Sequence, residues 1–304
     1  MAITSTGFAP KLLYPGLNAV WGTKYKELPK QYLDLFDKFT SSRNFEEDMG
    51  MTGYGMASLK GQGESITYDE SKQTYVTRYS HAVYASGYMI TQEMIEDNLY
   101  KSQAYRGARD LAYSLNQAQE TVGANVYNRA FNASYTFGDG VALCVSTHPT
   151  EAGNQSNVAS SSADLSEAAL ESMVVQIMDA KGPRGLRISL KPMSLHIAPA
   201  NVFEAERILK SALQNDTANN AINALKSKGI FPKGAIVNHY LTDTDAYFIR
   251  TDISGDYGMK LFQRHEPRFE MDNDSDTHNA KFQAYTRFSF GNTDWRAVFG
   301  NPGA

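Results

Sequence analysis

Residues 91–131, TQEMIEDNLYKSQAYRGARDLAYSLNQAQETVGANVYNRAF, run for 41 residues without a proline. Leu99, Ala108, Leu111, Leu115, Ala118, Val122 and Val126 fall mostly three or four residues apart, which places them along one face of a helix. Thr91 offers an N-cap. Glu93, Glu96 and Asp97 lie where the helix dipole favours negative charge, and Arg129 lies near the other end, where positive charge is favoured. A helix of this length would reach ~60 Å, far beyond the usual three or four turns. Gly107 and Gly123 each weaken it by about 1 kcal/mol relative to alanine, so a bend near one of them is expected. Tyr100, Tyr105, Tyr113 and Tyr127 interrupt a heptad, and no second long helical stretch pairs with this one, which argues against a coiled coil. The pattern predicts a single long helix laid across a mixed sheet.

With 304 residues, 42% hydrophobic and 20% charged, the chain can bury a sizeable core as one large or two modest domains. A net charge of −4 argues against a protein that neutralises nucleic-acid phosphates over its whole surface. One cysteine, Cys144, rules out an intrachain disulfide framework and suits a reducing compartment at synthesis. The start, MAITSTGFAPK, lacks the apolar core of a signal peptide, and no run of 18 apolar residues occurs. Secretion by the general pathway and membrane insertion are therefore not expected.

Residues 1 to about 33 read as an extended arm, because Pro10, Pro15 and Pro29 break helices and the apolar residues Phe8, Leu12, Leu13, Tyr14, Leu17, Val20 and Trp21 show no stable period. Lys11, Lys24, Lys26 and Lys30 against Glu27 give it a local charge of +3. Such an arm suits either a strap on its own domain or a reach across a neighbour. Glu64–Tyr68 and Thr74–Tyr84, separated by a turn-like stretch, read as a long hairpin with little to bury, which suggests a projection that packs on a partner. The glycines of Gly50-Met-Thr-Gly-Tyr-Gly and Gly61-Gln-Gly read as loop and hinge positions, since neither a GxGxxG nor a Gly-Lys-Ser/Thr is present. Beyond the long helix, Val141–Pro149 reads as an apolar strand. Asp164 with Glu167 reads as a capping box opening a helix on Leu170, Met173, Val174, Ile177 and Met178. Strands then follow over 187–199, a helix over 201–214 on Phe203, Ile208, Leu209, Ala212 and Leu213, and a helical stretch over 218–228. Strands at 235–241, 247–251, 259–263, 268–271, 281–290 and 295–299 close the chain.

Candidate chemistry is sparse. His148, Ser146 and Asp139 cluster in sequence, but no Gly-x-Ser-x-Gly elbow accompanies them, and His148-Pro149 reads as the end of a strand. Asp272, Asp274 and Asp276 have the odd-position spacing of a calcium loop. Thr277 stands where the loop needs glycine and Gln283 where it needs glutamate, so a solvated acidic turn is the better reading. His81, His148, His196, His239, His265 and His278 are scattered without an HExxH or a cysteine partner, which argues against zinc. Cys144 reads as a buried small residue. No catalytic residue, cofactor site or metal site is assigned, and the expectation is that the protein is not an enzyme.

Four stretches in order carry a resemblance. Phe137-Gly-Asp-Gly-Val-Ala-Leu-Cys-Val-Ser-Thr-His-Pro resembles a segment of tailed-phage major capsid proteins, especially the Mu-like major head subunit family. The segments 190–211, 258–276 and 281–296 are similar to the strand–proline–helix segment, the following strand with its acidic turn, and the closing strands of the same family. The resemblance implies an α+β Hong Kong 97-type capsid fold with an N-terminal arm (1–45), an extended loop hairpin (46–86), a peripheral domain with a long spine helix (87–180 and 256–304) and an axial domain (181–255). It implies a major capsid protein that self-assembles, as hexamers and pentamers, into an icosahedral head shell enclosing phage double-stranded DNA without sequence-specific binding. It also implies portal, scaffolding and decoration proteins as partners, no membrane, synthesis in the bacterial host cytoplasm and residence in the virion capsid. No long charged helical leader is seen, so scaffolding would come from a separate protein. An encapsulin-type nanocompartment shell is the alternative on the same fold, and a hydrolase using His148 or the aspartates is the alternative of a different class.

Overall fold

The computed structural model describes residues 9–97, 100–214, 221–274 and 279–304. The chain opens with helices α1 (Ala9–Glu27) and α2 (Tyr32–Leu35), followed by strands β1 (Asp37–Thr40), β2 (Phe45–Met51), β3 (Gln73–Ser80) and β4 (Ala82–Ile90). Helices α3 (Gln92–Glu96), α4 (Tyr100–Asn128) and α5 (Glu167–Met178) come next, then β5 (Pro192–Ile197), α6 (Val202–Lys210), α7 (Ala224–Ser227), β6 (Ala235–Val237) and β7 (Tyr247–Thr251). Strands β8 (Met259–Asn273), β9 (Ala280–Asn292) and β10 (Val298–Asn301) complete the chain.

The long helical segment is an interrupted one. The short α3, with Thr91 Oγ1 accepting the Met94 N–H at 3.4 Å, precedes the 29-residue α4, and residues 98–99 between them, including Leu99, lie outside the described residues. Helix α4 runs unbroken through both glycines, whose use is close approach rather than a break. A Cβ on Gly107 would stand 3.0 Å from the Tyr88 ring, and one on Gly123 would stand 3.2 Å from Phe290 and 3.3 Å from Tyr32. Helix α4 thus lies directly on the four-stranded sheet β1-β8-β9-β4, built round the long antiparallel β8–β9 pair with β1 parallel to β8. Ala104, Ala108, Leu111, Ala112 and Leu115 are buried there with Ile90, Phe269, Phe282 and Ala284.

The arm is helical rather than extended from Ala9 to Glu27. Pro10 falls in the first turn, where its missing N–H had no partner to lose, and Pro15 gives up one bond inside the helix. Tertiary packing outweighs that loss. Leu17, Trp21 and Tyr25, four residues apart, are all buried against α4 and β8, with Trp21 stacked on Tyr25 and Phe269.

A second four-stranded sheet has the order β10-β7-β5-β6. Helix α5 packs on it through Leu170, Met173, Val174 and Ile177, together with Ala205 and Ile208 of α6. The cap of α5 is Ser166, whose Oγ accepts the Ala169 N–H, rather than the Asp164–Glu167 box; Asp164 instead accepts the Ala304 N–H at 3.2 Å. Residues 141–147, read as a strand, form an irregular loop, because their backbone is bonded to Ala130 and Asn157 and not to a neighbouring strand. Phe203, expected on the buried face of its helix, is 75% exposed. A third core, between the two sheets, gathers Phe36, Tyr127, Leu143, Phe248, Met259 and Phe288.

Candidate assembly surfaces

The projecting hairpin exists, with different strands from those expected. Strand β2 pairs antiparallel with β3, and Glu64–Tyr68 forms no strand. Residues 74–84 are split at His81, which is buried and contacts Ser289 Oγ at 2.9 Å and Ser41 Oγ at 3.1 Å; beyond it β4 joins the main sheet instead. The two-stranded sheet closes at a neck where Thr52 N–H donates to the Lys72 carbonyl at 2.9 Å. Past this neck Tyr54, Met56, Leu59, Ile66 and Tyr68 are exposed, Leu59 fully. Large apolar side chains gathered on one projection mark a contact surface. Phe203, Leu213 and Ile222 form another group of exposed apolar side chains in the region of α6.

The root of the hairpin is tightly held. Lys260, 3% exposed, places Nζ 2.6 Å from Asp48 Oδ2 and between the rings of Phe39 and Phe262. Tyr79, buried beside Phe262, shares a 2.6 Å hydrogen bond with Thr293 Oγ1. A charge this deep is tolerated because it has both a carboxylate and two ring faces.

A polar seam joins the arm, α4 and the loop after β6. Glu120 of α4 accepts the backbone N–H groups of Gln31 at 2.8 Å and Tyr32 at 3.0 Å. The Gln31 amide in turn pairs with His239, and Gln117 Nε2 donates to Tyr240 Oη at 2.9 Å. Burial pushes the Glu120 carboxyl up to about 7, against the smaller opposing effect of the two N–H groups.

The catalytic candidates are brought together only in part. His148 is fully buried, with Nδ1 2.6 Å from Asp139 Oδ2, Nε2 2.9 Å from Asn157 Oδ1 and its ring stacked on Trp295 at 4.3 Å. The Asn157 amide N–H groups reach the carbonyls of Leu143, Trp295 and Val298, so the cluster staples three segments. Ser146 is exposed, and both imidazole nitrogens are already engaged. Cys144 is buried, and burial pushes its thiol up, away from the reactive thiolate. Of the acidic turn, Asp276 lies outside the described residues; Asp274 pairs with Lys281 at 2.7 Å, and Asp272 is the last but one residue of β8, opposite Lys281. Among the described residues no group of three or more metal-binding side chains occurs, and no helix is long and apolar enough to cross a membrane. A cavity of about 390 Å³ between α4 and the β4–β9 edge is lined by Tyr84, Val122, Val126, Phe137, Phe290 and Arg129, with no carboxylate, imidazole or thiol.

Comparison with solved structures shows the same fold at low identity. The virus-like particle from Pyrococcus furiosus is 12% identical, with a TM-score of 0.52 over 93% of this chain and 97% of that one. The capsid of the native GTA particle gives 12% and 0.52 over 89% of each chain. A phage-related protein from Bordetella bronchiseptica RB50 gives 11% and 0.52 over 93% and 95%. A comparison with curated proteins finds no match. The fold is α+β and of the Hong Kong 97 type, the extended hairpin and long helix being its visible marks here. The family model described as phage capsid protein matches residues 74–301, three quarters of the chain from the hairpin's second strand to β10, and the chain therefore belongs to the phage capsid protein family, as a major capsid shell protein.

Proposed function

We propose that this shell protein assembles with copies of itself, as hexamers and pentamers, into an icosahedral head enclosing double-stranded DNA. The observation that carries the reading is the hairpin tip: Met56, Leu59, Ile66 and Tyr68 stand in solvent on a two-stranded projection that buries little of its own. A neighbouring subunit supplies the missing burial. The family match favours a phage head over a cargo-holding compartment.

In this reading residues 1–45 are the arm, 46–86 the extended loop, 87–180 with 256–304 the peripheral domain and 181–255 the axial domain. Helix α5 packs on the axial sheet and strand β10 is its edge strand, and so they stitch the last two together. The shell needs no catalysis of its own, and the two ring nitrogens of His148 serve to join segments of the fold. DNA is enclosed without sequence reading. Portal, scaffolding and decoration proteins are its partners, and the chain is made in the host cytoplasm before it enters the virion.

Deleting Met56 to Ile66 leaves the neck bonds in place and tests the reading. The expected outcome is an unchanged circular dichroism spectrum and no closed particles by electron microscopy. Normal particles from the deletion would remove the tip from the interface. A wild-type chain that stays monomeric at every concentration, even with the other head proteins present, would sink the shell itself.

A further inference from the structure

The hairpin is tied to its own subunit at two levels. The root is buried, through Lys260–Asp48 and Tyr79–Thr293. At the same level, on Thr77, the cross-strand partner of Asp48, Gly138 presses so closely that a Cβ there would meet Thr77 Oγ1 at 2.1 Å. The second level lies at the neck, where the ties are ionic. Arg184 places Nη1 2.5 Å from Asp69 Oδ2 and Nε 3.3 Å from Glu151 Oε2, and Lys72 Nζ lies 3.8 Å from Glu151 Oε1. Asp69 Oδ2 also accepts the Gly55 N–H at 2.6 Å, which joins the outgoing and returning limbs of the loop. Arg184 and Glu151 stand on two turns of the subunit body that are themselves bonded, Ala152 N–H to the Pro183 carbonyl at 3.1 Å and Gln155 Nε2 to the Gly182 carbonyl at 3.0 Å.

We propose that Arg184 is a clamp that aims the hairpin, fixing the angle at which the tip leaves its subunit before any neighbour is met. One guanidinium spans a carboxylate of the loop and a carboxylate of the body, which a lysine's single point charge would not do. The Gly55 N–H and Arg184 together hold the Asp69 carboxyl below the usual carboxylate range, so the clamp stays charged across neutral pH. Its groups are partly exposed, Asp69 by 42% and Glu151 by 36%, so salt loosens it. A weak, adjustable tie fits a loop that must point correctly yet still settle on its partner. The consequence for particles rests on the shell reading above; the consequence for the free subunit does not.

The test is hydrogen exchange at the Gly55 amide in the full-length free subunit, followed by electron microscopy of assembled material. Arg184→Gln should speed Gly55 exchange by about five-fold, the scale of an exposed pair, while α4 amides stay unchanged. Arg184→Lys should fall between the two. Wild type moved from low salt to ~1 M salt should show the same release without any substitution, which keeps the test alive if a variant does not fold. Shells of Arg184→Gln should be broader in diameter than wild type or incomplete. A Gly55 rate indifferent to both salt and Arg184 would overturn the clamp. So would released exchange with particles of wild-type yield and uniformity. Failure of wild type itself to form shells would refute the shell reading and leave the exchange result standing.

Discussion

Leu115→Ala is the sharpest probe of what holds α4 on the sheet. Leu115 is 2% exposed, within the cluster of Leu17, Trp21, Tyr25, Leu111, Phe269 and Phe282. Removing three buried carbons and leaving the cavity costs ~3 kcal/mol, within a range of about 2–5. At roughly 2.1 cal/mol/K per residue, a cooperative unit of 304 residues has an unfolding entropy of ~0.6 kcal/mol/K, so Tm should fall by about 5 °C. The assay is thermal unfolding of the free subunit by circular dichroism, with Ser114→Ala as the exposed control on the same helix, expected within ~1 °C of wild type. Gln117, two residues further along the helix, is no neutral control, because its amide is bonded to Tyr240. Proline at 115 should be worse than alanine, since it also removes a backbone donor in mid-helix. A Leu115→Ala Tm equal to wild type, with Ser114→Ala destabilised, would show that the buried face of α4 lies on the other side.

The remaining predictions concern charge. The Glu120 carboxyl, pushed up to about 7 by burial, holds its proton more tightly folded than unfolded, so its contribution is fully present below about pH 4.5 and is lost as pH rises towards 7. The stability of wild type relative to Glu120→Gln, measured by denaturant titration, should therefore fall across that window by at most ~1.4 kcal/mol per pH unit and level off above it. A difference that rises with pH would mean that the Gln31 and Tyr32 N–H groups outweigh burial. For the acidic turn, Asp274 already answers Lys281, and EDTA should leave Tm unchanged; a large drop restored by calcium would establish a metal site there.

The sequence by itself determined the features that repeat locally. The three- and four-residue spacing of Leu111, Leu115, Ala118, Val122 and Val126 places α4, because a helix face is written at short range. A hairpin with little to bury in its own subunit was also visible, though not its first strand, as was the family, through segments held in order. Even so, proline concealed a period that was present: Leu17, Trp21 and Tyr25 mark the face of α1, and their burial outweighs what Pro15 costs. Strand partners were decided elsewhere. Thr74–Tyr84 looks continuous, yet it divides at His81 because one half pairs with β2 and the other with β9, and β-propensity does not name a partner. The same holds for the charged contacts that set the hairpin, Lys260 with Asp48 and Arg184 with Asp69, 212 and 115 residues apart in the chain. Whether a lysine, a glutamate or a histidine is buried and paired depends on which distant segment closes over it. Only the tertiary structure fixes that, because burial and Coulomb energy follow distance in space and leave no period in the sequence.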